Sequence, residues 1–106
     1  MTRAGLIVAC AVISSVAQAQ DRAAIYQLIE RRCEALIQGS PDDMANLGAL
    51  GITLPNMCQC IASTVNAKLL DSEVTTLQGS GAPPPRVDAL WTAARGFCAV
   101  TLRPKS

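Results

Sequence analysis

The chain has 106 residues, 50% of them hydrophobic and three of them aromatic, which is enough for one small domain with a core built mainly of Ala, Leu, Ile and Val. Nine basic against eight acidic residues give a net charge of +1, so no basic face of the kind that marks a nucleic-acid binder is expected. No histidine is present, which removes Ser-His-Asp and Cys-His catalysis together with the commonest general base.

The N-terminal segment reads as an export signal. Arg3 is the only charge before Asp21, an apolar run spans residues 4–16, and Ala17-Gln18-Ala19 is a small-x-small cleavage site. The run is too short for a retained anchor, since a bilayer needs about 20 apolar residues. Ile7-Val8-Ala9-Cys10 resembles a lipobox, but apolar residues continue past Cys10, which disfavours lipidation there. The expected organisation is a cleavable signal peptide over residues 1–19 and a single helical domain over 20–106, with no stable membrane span after cleavage. Cleavage removes Arg3 and Cys10, leaving eight basic residues, eight acidic ones and four cysteines. Four cysteines in a small exported domain are most simply two disulfides.

Residues 21–38 form the first expected helix. Ile25, Ile29, Cys33, Leu36 and Ile37 recur at helical spacing with Leu28 on the flank, while Arg22, Glu30, Arg31 and Glu34 face water. Gly39 ends it, and Ser40-Pro41-Asp42-Asp43 restarts the chain as a capped short helix whose apolar stripe is Met44, Leu47 and Leu50. Gly51 should close that helix.

The central helix covers residues 53–70, with Pro55 in its first turn and Met57, Cys58, Ile61, Val65 and Leu69 on one face. Successive residues turn by about 100°, so Cys58 and Cys60 point roughly 200° apart and cannot reach the same neighbour. If each bonds outside the helix, one reaches Cys33 and the other Cys98, and the central helix is clamped between the first and last. The sequence leaves open which pairs with which.

Asp71-Ser72-Glu73 reads as a further restart, with a short helix through Val74 and Leu77 to Gly79. Residues 79–85 are rich in glycine and proline and read as a connector that opens the next helix. The last long helix covers residues 86–101, with Val87, Leu90, Trp91, Ala94, Cys98 and Thr101 in line and Phe97 beside them. Trp91 reads as core by this spacing. The other reading makes it a partner contact flanked by Arg86 and Arg95.

The fold class expected is all-α, a small disulfide-stapled helical bundle of three main helices plus two short ones. Its chemistry is sparse. No Ser-x-x-Lys dyad or phosphate-binding glycine motif occurs, and the carboxylates lie near helix starts or on polar faces. Met57, Cys58 and Cys60 offer soft ligands that would suit copper, and a Cys-x-Cys pair near a helix start could exchange thiols. Against these stands the structural reading, in which the four cysteines form two bridges, each stabilising by about 3 kcal/mol through loop closure. In size, export and cysteine use the chain resembles small exported helical bacterial proteins such as periplasmic immunity proteins and acid-stress chaperones. The likeness carries no functional residues. The lack of catalytic groups in a rigid, neutral, exported scaffold points instead to a non-enzymatic protein of the periplasm or the secreted fraction, without a cofactor, acting on an unidentified protein partner.

Overall fold

The computed structural model describes residues 2–80 and 83–104, with side chains described for 19–79 and 83–104. The readings that concern Cys10, the Ala17-Gln18 part of the cleavage site, Gly81-Ala82 and Lys105-Ser106 lie outside the described side chains. The architecture is all-α: α1 (Thr2–Gln38), α2 (Pro41–Leu50), α3 (Leu54–Lys68), α4 (Asp71–Ser80) and α5 (Pro85–Leu102), with no strand among the described residues.

Local chemistry sets most of the boundaries. Ser40 caps α2 by accepting a hydrogen bond from the Asp43 N–H at 3.3 Å, with Pro41 in the first turn. Gly51 closes α2 in the left-handed region, at a φ of 71° that a residue with a Cβ adopts at a cost. Thr53 caps α3 through the Asn56 N–H at 3.3 Å. At the head of α5, Pro84 takes the cap position and Pro85 the first turn, so the proline run opens a helix, as its composition suggested.

Two bounds differ from expectation. The first helix begins at Thr2 rather than Asp21, because no proline interrupts the Ala-rich stretch before it. α4 is a full Asp71–Ser80 helix, and its start is satisfied by the Glu73 carboxylate, which accepts the Leu70 N–H at 2.8 Å. That is the glutamate half of a capping box.

α3 is the centre of the molecule. α1 and α5 pack on it from two sides, and α2 and α4 pack on α1. The core is the seam of Ile25, Ile29, Cys33 and Ile37 against Met57, Cys58, Ile61 and Val65, closed by Val87, Ala94 and Cys98. Both outer helices run antiparallel to α3. Moving from Cys33 back to Arg22 on α1 matches moving from Cys58 forward to Leu69 on α3, eleven residues in each case. No described helix is long and apolar enough to cross a membrane.

The apolar stripe on α1 needs one correction. Leu36, placed on the core face by its spacing, is 57% exposed, and Leu28 is 42% exposed. The buried seam climbs in steps of four, which drift by about 40° each, so at the level of residue 36 it has turned well away from Leu36. Thr101 at the end of α5 is likewise exposed, and Phe97 stands 57% exposed beside the core rather than in it.

Candidate functional site

The cysteines resolve the question that the sequence left open. Cys33 bonds to Cys58 with Cα atoms 5.5 Å apart, and Cys60 bonds to Cys98 with Cα atoms 5.9 Å apart. Two residues on one helix therefore reach helices on opposite sides, as a 200° divergence requires. Cys33, Cys58 and Cys98 are fully buried, while Cys60 is partly exposed. The Thr64 hydroxyl lies 3.9 Å from the Cys98 sulfur. With all four sulfurs bonded and Met57 buried, Cys58 and Cys60 present no thiolate in this bridged state, neither as soft metal ligands nor as an attacking thiol.

Below the disulfides lies a polar junction that periodicity did not reveal. α3 ends on Leu69 rather than glycine, so its last carbonyls need donors from elsewhere. Arg22, expected to face water, supplies them. Its guanidinium donates to the Asn66 carbonyl at 2.8 Å, the Leu69 carbonyl at 2.9 Å and the Asp71 carboxylate at 2.8 Å. The Asn66 side chain donates back to the Arg22 carbonyl at 3.2 Å. From the other side, Arg86 pairs with Glu73 and donates to the Lys68 carbonyl at 3.3 Å. Each outer helix thus sends one arginine into the α3–α4 corner. The Glu73 carboxyl is held below its usual range, first by the Leu70 N–H and then by Arg86, against the opposing effect of burial. Nearby on α1, burial raises the Tyr26 phenol, and Glu30 adds to that shift.

Trp91, Arg86 and Arg95 do not form one patch. Arg86 and Arg95 lie nine residues apart, about 180° around α5, so they diverge. Arg86 turns to Glu73, and Arg95 pairs with Asp43 on α2 at 3.3 Å. Trp91 is neither fully core nor free. It packs against the core from a half-buried position and forms one wall of a groove of about 180 Å³.

This groove joins the two longest helices across α3. α1 and α5 both lean on α3 and leave the cleft between themselves. Leu28, Arg32 and Leu36 form the α1 wall, Val87, Asp88 and Trp91 the α5 wall, and Val65 of α3 lies at its base. Leu77 and Pro83 close one end. Arg32 and Asp88 make no ion pair or side-chain hydrogen bond among the described residues. A site of this size suits one bulky side chain, since about 150 Å³ holds benzene, and it falls short of the roughly 300 Å³ where small-molecule pockets begin. Among the described residues, no group of three or more Cys, Asp or Glu side chains is placed to hold a metal ion.

Comparison with known proteins adds no further assignment. No known family's sequence profile matches the chain. No curated protein matches it significantly. No solved structure matches it significantly.

Proposed function

We propose that the chain is a small exported, non-enzymatic protein acting as a protein-binding module in the bacterial envelope, immunity- or chaperone-like in type. The observation that carries this reading is the Trp91 groove. An apolar cleft rimmed by charge is the usual form of a protein-docking surface, and tryptophan is the residue most enriched at the centres of such surfaces. Leu28 and Leu36 add exposed aliphatic surface beside Trp91, in a frame that two disulfides keep preorganised. The bridges support an oxidising compartment, and the N-terminal segment supports export as the route to it. Catalysis has no support in the residues present: the chain has no histidine, and the four cysteines whose side chains are described are bonded.

The test is made on protein exported to the periplasm, with a photo-crosslinking residue at position 36. Thiol-blocked intact mass should show cleavage near Ala19, no free thiol and the mass deficit of two disulfides. Illumination should give discrete protein adducts that Leu28→Glu abolishes. A chain that keeps its leader, carries free thiols or forms no adduct would overturn the reading. So would a specific enzymatic activity lost on changing Cys58 or Cys60 in a folded protein.

A further inference from the structure

We propose that the groove between α1 and α5 is the face through which two copies of this chain pair about a two-fold axis. The proposal rests on the reading of the groove as a protein-docking surface and names its occupant. The observation behind it is the placement of charge. Arg32 stands on the α1 wall and Asp88 on the α5 wall of the same groove. Neither has an ionic partner among the described residues.

An apolar cleft with one free cation and one free anion on its rim is complementary to itself. A two-fold axis that lies in the face and passes midway between two points exchanges them. Such an axis sets Arg32 of each copy against Asp88 of the other, making two identical ion pairs. It also covers Leu28 and Leu36, the two large aliphatic side chains left exposed on this face. The groove volume of about 180 Å³ has room for one such side chain from the second copy. Nothing in the net charge opposes association, because residues 20–106 carry eight basic and eight acidic groups. A foreign partner would have to supply both charges in the right order, whereas a second copy already has them.

The test uses the mature, doubly bridged protein in sedimentation experiments across the micromolar range. The wild type should be a dimer. Arg32→Asp and Asp88→Arg each create two like-charge pairs across the axis and should weaken the dimer by at least about 100-fold. An equimolar mixture of the two variants should form a heterodimer, since both pairs are then matched, one as in the wild type and one with reversed sign. Both positions are exposed, so each variant should keep its helical circular dichroism and its two disulfides. Leu36→Glu, at an exposed position, should also give a monomer. A wild type that stays monomeric overturns the proposal, as do charge reversals that leave the dimer intact or a mixture that does not pair. A monomeric wild type whose position 36 still crosslinks to a foreign protein would remove the second copy and leave the groove as a docking surface.

Discussion

On its α1 side, α3 is fastened by Cys33–Cys58, with both cysteines fully buried, and by Arg22, which bonds two carbonyls and a carboxylate. On its α5 side the same two devices recur in a shallower form. Cys60–Cys98 has one partly exposed cysteine, and Arg86, 49% exposed, bonds one carboxylate and one carbonyl. The bridges span 25 and 38 residues, and loop closure makes them nearly equal, at about 3.5 and about 4 kcal/mol. The difference between the two sides is therefore one of packing and access rather than of chain topology. The deep side anchors the core, and the shallow side leaves the cleft where Trp91 stands.

Removing each bridge gives the largest effect and separates these two contributions. Loop length alone ranks Cys60→Ala/Cys98→Ala as slightly the worse. Burial reverses the order, because Cys33→Ala/Cys58→Ala empties two fully enclosed positions, each costing about 1 kcal/mol beyond loop closure. The deep-side double variant should lose about 5.5 kcal/mol and the shallow-side variant about 5 kcal/mol, since Cys98 alone of its pair is fully enclosed, which puts the fall in Tm at roughly 20 °C or more for either. Thermal unfolding by circular dichroism measures both. The opposite ranking would make loop entropy the governing difference.

Mild reduction probes the same contrast without mutation. A thiolate must reach a sulfur before it can open a bridge, and Cys60 is the one cysteine of the four that solvent reaches. Partial reduction, alkylation and peptide mapping should find Cys60 and Cys98 labelled first, with Cys33–Cys58 intact. Simultaneous labelling of all four would mean that the helices separate as one unit and that the two sides do not differ in access.

How much of this was legible in the residues varies with the range of the interaction. Ser40, Thr53 and the proline pair act on their own turns, so the starts of α2, α3 and α5 could be read directly. The divergence of Cys58 and Cys60 is also local, and it required two different partners. The choice between Cys33 and Cys98 depends on which side of α3 each outer helix takes, which no local angle contains. Leu36 was misplaced because period alone does not say how a seam drifts along a helix. Arg22 was missed for a different reason, since its partners are 44 to 49 residues away. A signal for it did exist. A helix that ends at Leu69-Leu70-Asp71 without glycine leaves carbonyls in need of a donor. Arg32 and Asp88 looked like ordinary solvated charges, and only the cleft between α1 and α5 puts them on one rim.

The arginine pair gives a smaller, non-covalent version of the comparison. Arg22→Ala strips donors from two helix-end carbonyls and from Asp71, and should cost about 2 kcal/mol. Arg86→Ala should cost less, because its guanidinium is more exposed and Glu73 keeps the Leu70 N–H. Urea unfolding of both variants orders them. An equal or larger loss for Arg86→Ala would show that the shallow side carries more of the corner than its exposure implies.

The smallest effect concerns the acid side of the stability profile and isolates Glu73. Its carboxyl sits below the ordinary value of 4.5 because the charged form accepts the Leu70 N–H and, secondarily, pairs with Arg86. The folded state therefore binds this proton less readily than the unfolded state does. The resulting stabilisation is complete above the ordinary glutamate range and is lost as pH falls through it toward the folded value. Glu73→Gln removes the titration, so its Tm should fall less steeply than that of the wild type between pH 6 and pH 3. Arg86→Ala should shrink the difference without abolishing it, since the backbone N–H is the larger cause. Parallel profiles for wild type and Glu73→Gln would mean that the head of α4 does not depend on an ionised carboxylate. An uncharged acceptor for the Leu70 N–H would then suffice at this position.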